Sequence, residues 1–365
     1  MSSFVRLGPG GVLEAGSRNR MTSFTPARAD MNPPKRLARI QELLKSNSPR
    51  IAVVRGEGIG DVIMTLPAIK ALSDHFGRRA KITYATNTRY AEGALPKILK
   101  HNPDVTEVID RENIDEADFD TVLSLHCPAI GYEKFGNPPI NRIDLFARHL
   151  GFTTLTHPTP KIFLTQTEMD EGSSFLFRTG MWGKKIVMVQ LFGTSPARSM
   201  ASHAVKAALV KLYNDYKIHA LIMTHATDPS NDIIWNEIPG SVVVRGKDCR
   251  EIASIMIHCD LLLCPDSALL HIGGALGVPT VTLFGPTDPR ARINYYPNAV
   301  VIWGGENLGG HPHWYEKCPY GDLCWKLITD DAIVEACAAH IARTRKVNPE
   351  SLLKDQVNDI SSEIL

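Results

Sequence analysis

The residues best placed to do chemistry begin at Asp266 and Ser267. They follow the apolar run Leu261–Cys264 and open a short predicted helix that stops near Gly277. A helix N-terminus presents unpaired backbone N–H groups and a partial positive charge, so this position predicts a seat for an anion. His271, one turn further along, could contact a phosphate as a neutral donor or as a cation. The alternative interpretation is an ordinary N-cap pair followed by a structural histidine.

The small residues Gly273–Ala275 of this predicted helix would allow it to pack closely against the neighbouring strand. The apolar run Thr280–Phe284, bounded by proline and glycine, follows and predicts a further strand.

A second chemical position follows the first predicted strand, at the glycine-rich turn Gly56–Gly60 and Asp61. Gly58 and Gly60 would let a substrate approach the backbone, and a carboxylate held there could take a proton from a hydroxyl. Plain helix capping by Asp61 is an equally good interpretation. The G-x-G-x-G spacing and the lack of an acidic residue after the second strand disfavour a nicotinamide cofactor, and we expect no cofactor.

A third position is the turn Gly193-Thr194-Ser195 together with Arg198. Hydroxyls, backbone N–H groups and a guanidinium suit a diphosphate. The alternative is a polar loop with a surface arginine.

Cys318 and Cys324 lie near His311 and His313 and invite a metal interpretation. Their C-x5-C spacing is not that of a zinc knuckle, and no second tight pair follows. We therefore expect no metal. The seven cysteines are odd in number and several lie in apolar runs, which favours reduced thiols in a cytoplasmic protein.

Length and composition favour two domains without a membrane-spanning helix. The chain has 365 residues and 44% hydrophobic residues, with no run of eighteen apolar residues and no secretory signal pattern. Net charge is +1, but thirteen basic and five acidic residues fall in 33–101, whereas one basic and eight acidic residues fall in 102–120. Solvated helix faces are the simpler explanation. A basic first domain that faces an anionic acceptor or a membrane surface is the second.

Apolar runs alternate with helical periodicity along most of the chain, which predicts parallel sheets covered on both faces. A segment rich in proline, threonine and charge at 158–171 interrupts the alternation and is interpreted as an interdomain connection. The predicted division is a mobile tail (1–34), an N-terminal domain (35–165), a C-terminal domain (166–345) and an extension (346–365).

Two motifs in combination resemble glycosyltransferase family 9, the ADP-heptose:lipopolysaccharide heptosyltransferases. The first is Asp61–Ala68 after the glycine-rich turn, and the second runs from Asp266-Ser267 through His271 to Gly285–Pro289. The segment from Cys318 to Ala336 is similar to the end of the heptosyltransferase II branch. The resemblance covers about residues 50–341.

The resemblance implies a GT-B fold, in which two Rossmann-like α/β domains with parallel sheets face a central cleft. It implies that the N-terminal domain (35–165) mainly binds the acceptor and that the C-terminal domain (166–345) binds the nucleotide sugar. It also implies an inverting, metal-independent displacement with Asp61 as general base on the acceptor hydroxyl. The residues implied on the donor side are Thr194, Ser195, Arg198, Asp228, Asp266, Ser267 and His271. Ala268 stands where the family usually has glycine, so the donor base and sugar are not fixed by the resemblance.

The predicted activity is transfer of a heptose, or a related sugar, from a nucleotide sugar to lipopolysaccharide core or another bacterial glycan. The expected partners are a nucleotide-sugar donor and an anionic glycan or lipid-linked acceptor, with peripheral association with the inner membrane and no nucleic acid. Two rivals stay open: a nucleotide-sugar epimerase of the same fold, and an inactive nucleotide-sugar binding protein. An epimerase would turn over donor without acceptor, and an inactive binding protein would transfer nothing.

Overall fold

A computed structural model describes residues 33–125, 139–191, 198–199, 202–224, 235, 237–308 and 320–361. The described residues form two separate sheets, and every strand pair in both is parallel. This confirms the predicted class of two α/β domains with parallel sheets.

The first sheet has the strand order β3-β2-β1-β4 among the described residues. Its central strands are short, apolar and buried, as parallel strands covered on both faces must be. The elements up to the interdomain connection are α1 (Pro33–Leu43), β1 (Arg50–Val54), α2 (Ile59–His75), β2 (Lys81–Thr86), α3 (Ala94–Leu99), β3 (Glu107–Asp110), β4 (Thr121–Ser124) and α4 (Arg142–His149).

The second sheet has the order β10-β9-β8-β5-β6-β7, again for the described residues. Counted within its own domain this is 3-2-1-4-5-6, the dinucleotide-fold order. Its elements are α5 (Gln166–Arg178), β5 (Lys185–Gln190), α6 (Ser202–Tyr216), β6 (Ile218–Thr224), β7 (Val242–Arg245), α7 (Cys249–Met256), β8 (Leu261–Pro265), α8 (Ala268–Leu276), β9 (Thr280–Phe284), β10 (Ala299–Trp303), α9 (Leu323–Lys326), α10 (Asp330–Arg343) and α11 (Pro349–Ser361).

The apolar runs Leu261–Cys264 and Thr280–Phe284 form β8 and β9, within one residue of the predicted bounds. The interdomain connection is shorter than predicted, because α5 begins at Gln166. Thr165 and Glu168 form a reciprocal capping box at its start, so the threonines and charges that suggested a linker cap a helix instead. Helix α11 was not predicted, and Gln356 in it donates a hydrogen bond of 3.2 Å to the carbonyl of Ile162.

The two domains share apolar core and several polar contacts. One cluster of buried side chains joins Ile63 of α2 and Ile98 of α3 to Leu270 of α8 and other residues of the second domain. Arg250 of α7 is buried and donates to the carbonyl of Lys97 at 3.0 Å. These contacts bring α2 and α8, whose N-terminal ends carry the two predicted motifs, against each other.

Small residues in α8 permit the close packing that the sequence predicted. A Cβ added to Gly273 would lie 2.7 Å from Cδ2 of Leu262 on β8, nearer than side chains normally approach. Gly277 ends the helix with φ at 70°, in the left-handed region that favours glycine. The motif is therefore built as strand, tightly packed helix and strand.

Candidate active site

Both predicted motifs lie at the carboxyl ends of strands, at the point where strand order reverses. Asp61 follows β1, which lies between β2 and β4, and Asp266 follows β8, which pairs with β5. Open α/β sheets bind their ligands in the crevice at such a switch point. At the switch point of the second domain, the ends of β5 and β8 are connected by a hydrogen bond. The Ser267 hydroxyl, after β8, donates to the side-chain oxygen of Gln190, at the end of β5, at 2.5 Å.

Asp61 does not cap its helix. Gly58 is the N-cap of α2, with φ at 87° and no side-chain capping bond. The two carboxylate oxygens of Asp61 instead accept from Arg55 at 2.5 Å and from Arg142 at 2.6 Å. The capping interpretation is therefore wrong for Asp61, and its carboxylate is held at the cleft by two arginines.

The electrostatics of Asp61 follow from these neighbours. Burial by itself would raise the pKa of Asp61, but Arg142, Arg55 and Arg292 together outweigh burial and hold that pKa well below its ordinary value. Asp61 is therefore a carboxylate throughout the physiological pH range.

Asp266 is buried at the mouth of α8 beside three cationic or potentially cationic groups. Its carboxylate oxygens lie 3.6 Å from Arg198, 3.8 Å from Arg292 and 3.8 Å from Nε2 of His271. Burial would raise the pKa of Asp266, but His271, Arg292 and Arg198 lower it to about 2. A negative charge therefore already occupies the helix mouth. An incoming anion would therefore bind the guanidinium groups around Asp266 rather than the backbone N–H groups at the helix N-terminus.

Ser267 occupies the N-cap position of α8 but makes no side-chain capping bond. Neither Asp266 nor Ser267 thus behaves as the ordinary N-cap pair that was the alternative interpretation. The Ser267 side chain binds Gln190 at the switch point, and the Asp266 side chain lies beside Arg198 and Arg292. Both arrangements are consistent with a binding site.

His271 lies where the two domains touch. Its Nδ1 is 2.7 Å from the hydroxyl of Tyr296, and its ring packs so closely on Gly60 that a Cβ there would overlap it. Burial lowers the pKa of His271, so the ring is neutral near pH 7. The close approach that Gly60 was expected to permit is here made by a histidine of the other domain.

Arg292 acts electrostatically on the carboxylates of both Asp61 and Asp266. Its side chain is 2% exposed, and its positive charge lowers the pKa of Asp61 in the first domain as well as that of Asp266 in the second. The structure thus brings Asp61, Asp266, His271 and Arg198 into one cluster of ionisable side chains between the domains.

Three of the predicted donor residues, Thr194, Ser195 and Asp228, lie outside the described residues, as do Cys318, His311 and His313. Cys324 is described and is buried as a free thiol. No helix within the described part of the chain is both long and apolar enough to span a bilayer.

Sequence reasoning missed Arg55, Arg142, Arg292 and Tyr296. Arg55 had a local signal, because it stands between the first strand and the glycine-rich turn. Arg142 is 81 residues from Asp61, and nothing in the sequence pairs them.

The lowered pKa values predict how folding stability depends on pH. A carboxylate with a folded-state pKa below its unfolded value stabilises the fold above the unfolded value, near 3.8, and that contribution disappears as pH falls through the folded pKa. We expect the unfolding free energy of the wild type to fall between about pH 4 and pH 2 more steeply than that of Asp266→Asn. Urea melts across this range measure the difference, and parallel slopes would contradict it.

Comparisons with known proteins bear on the family and on the fold. Residues 208–322 match the model of glycosyltransferase family 9 (heptosyltransferase). The comparison with curated proteins gives no match.

Several solved structures share the fold. A glycosyl transferase family 9 protein from Veillonella parvula DSM 2008 superimposes with a TM-score of 0.64 at 18% identity, over 81% of this chain and 98% of that one. The ADP-heptose lps heptosyltransferase II of E. coli gives 0.60 at 15% identity, over 80% and 99%. The E. coli heptosyltransferase WaaC, solved with ADP, gives 0.55 at 14% identity, over 80% and 99%.

At these identities the solved structures establish the GT-B fold. The family 9 model matches part of the chain, residues 208–322, and this match agrees with the resemblance drawn from the sequence. Together the two comparisons indicate that the protein is a glycosyltransferase.

Proposed function

We propose that the protein transfers a heptose, or a closely related sugar, from ADP-heptose or a similar nucleotide sugar to lipopolysaccharide core or another bacterial glycan. One observation carries the proposal: Asp61 of the first domain and Asp266 with Arg198 of the second converge on Arg292 and His271. An acceptor hydroxyl needs a base, which the first domain supplies, and a diphosphate leaving group needs cations, which the second domain supplies.

In the proposed mechanism Asp61 accepts the proton of the acceptor hydroxyl as that oxygen attacks the anomeric carbon. The bond to the diphosphate breaks on the opposite face, so the configuration inverts. Arg198 and Arg292 neutralise the charge that develops on the leaving diphosphate, which is why we propose a displacement without a metal.

The acceptor is proposed to enter from the first domain and to be anionic. Arg55 and Arg142 line that side of the cleft beside Asp61. A cytoplasmic location with peripheral attachment to the inner membrane would bring the enzyme to a lipid-linked acceptor, and this too is a proposal.

The family match favours transfer over the epimerase alternative. The inactive binding protein is disfavoured by the retention of an ionised Asp61 in the cleft. Incubation with ADP-heptose and a core-oligosaccharide acceptor, followed by mass spectrometry, tests the proposal. A product heavier by one heptose supports it, donor conversion without acceptor supports an epimerase, and no change contradicts both.

Arg198→Ala is predicted to weaken donor binding about 10- to 100-fold, since a hydrogen bond to a charged group contributes roughly 1.5–3 kcal/mol. The Arg198 side chain is 26% exposed and reaches Asp266, so it is both accessible and anchored. Calorimetric titration with ADP measures the change. Arg89→Ala, at an 81% exposed arginine of the first domain, is the control. Unchanged donor affinity in Arg198→Ala would contradict the assignment.

A further inference from the structure

Helix α4 lies between the proposed base and the second domain. On one side its first residue, Arg142, donates to Oδ1 of Asp61 at 2.6 Å. On the other side Asp144 accepts a hydrogen bond of 2.6 Å from the hydroxyl of Tyr295. Asn141, the N-cap of α4, also donates to the carbonyl of Arg290 at 3.4 Å. The helix that holds the base is thus fastened at the same end to the other domain.

The residues that fasten α4 belong to one short segment of the second domain, 290–296. Arg292 in this segment lies 3.8 Å from Asp266, and Tyr296 lies 2.7 Å from Nδ1 of His271. Tyr295, between them, reaches α4. A displacement of this segment would therefore act on the donor side and on α4 together.

Arg142 is well placed to pass such a displacement to the base. Its side chain is 9% exposed and that of Asp61 is 18% exposed, so the ion pair is largely shielded from solvent. Arg55 binds the other oxygen from the end of β1, within the first domain. Arg55 therefore holds Asp61 independently of the second domain, whereas Arg142 sits on the helix that the second domain fastens.

We propose that Tyr295 and Arg142 are positioning residues, which transmit docking of the donor-binding domain to the orientation of Asp61. When the domains are docked, Tyr295 fixes Asp144 and α4, and α4 holds Arg142 against Oδ1. The effect of this coupling on catalysis rests on the proposed function, in which Asp61 is the base. The effect of Tyr295 on Arg142 through α4 does not depend on the proposed function.

The charged and titratable groups that face Asp61 come from several elements. They are Arg55 at the end of β1, Tyr84 on β2, Tyr90 after β2, Arg142 on α4, His271 on α8 and Arg292 after β9. Loosening Arg142 leaves the other groups in place. The expected effect is thus misplacement of the carboxylate and a partial rise in its pKa, with the carboxylate still charged at neutral pH.

Two experiments test the coupling: Tyr295→Phe alone, and a double-mutant cycle of Tyr295→Phe with Arg142→Lys. The first experiment measures the rotation rate of the Arg142 guanidinium by ¹⁵N NMR in the wild type and in Tyr295→Phe, without substrates. Tyr295→Phe removes one hydroxyl and should speed this rotation, while Arg55, the internal reference, stays unchanged. Lys97→Gln is the matched control, because it breaks a different contact between the domains, the 2.8 Å pair with Asp248. It should leave Arg142 unaffected.

The second experiment, the double-mutant cycle, measures transfer from ADP-heptose. Tyr295→Phe should lower kcat by up to about 100-fold without changing the donor Kd, because a small misplacement of a catalytic group costs rate rather than donor affinity. In the Arg142→Lys background the same substitution should cost much less, since residues that act through one another are not additive. Additive effects, or an Arg142 guanidinium as rigid in Tyr295→Phe as in the wild type, would overturn the coupling. Coupling seen by NMR with no transfer by the wild type would overturn the proposed function alone.

Discussion

Asp61→Asn is expected to lower kcat about 10²- to 10⁴-fold, the usual contribution of a positioned general base, while donor affinity stays nearly the same. The amide keeps the shape of the carboxylate but cannot accept the proton of the acceptor hydroxyl. Donor affinity is spared because the donor is proposed to bind the second domain. Steady-state transfer assays and calorimetry with ADP separate the two effects.

Asp74→Asn is the matched control for this prediction. It lies on the same helix, α2, and its 42% exposed carboxylate pairs with Lys70 at 3.3 Å. Its turnover should match that of the wild type. Asp61→Asn also removes the charge between Arg55 and Arg142, so thermal melts must show that the variant is folded. A folded Asp61→Asn enzyme with near-normal turnover would remove Asp61 from the role of base.

Arg292→Met is expected to destabilise the protein by about 3–5 kcal/mol, the cost of removing one partner from a buried charged group. Methionine fills much of the same space but leaves the buried Asp266 with one guanidinium neighbour, Arg198, instead of two, and withdraws a positive charge from Asp61. Urea unfolding at pH 7 measures the loss.

Arg290→Met provides the comparison, because Arg290 is two residues away, is 61% exposed and pairs with Asp288 at 2.6 Å. The Arg290 guanidinium lies in solvent, although the Asp288 carboxylate is buried, so its loss should cost less than the loss of the buried Arg292 guanidinium. Adding Asp266→Asn to Arg292→Met should recover part of the lost stability, since the uncompensated charge is then removed. If Arg292→Met and Arg290→Met lost equal free energies of unfolding, Arg292 would contribute no more to stability than an exposed arginine does.

The local structure around both motifs was predictable because its causes are local. Strand β9 was expected at Thr280–Phe284 from an apolar run bounded by proline and glycine, and it is found there. Gly277 ends α8 in the conformation that glycine favours. Helix α5 was missed because threonine and charge serve linkers and helix caps equally well, and only the hydrogen bonds of the capping box distinguish them.

The sequence by itself determined the fold class and the chemical positions at Asp61 and Asp266, since these follow from periodicity, glycine spacing and residue type. Only the tertiary structure decided what Asp61 and Asp266 do with their carboxylates. Arg142, 81 residues from Asp61, is one of the arginines that hold these carboxylates. A carboxylate can cap a helix or bind a guanidinium with similar chemistry. Which of the two it does depends on distances that exist only after the sheets have folded and the domains have met.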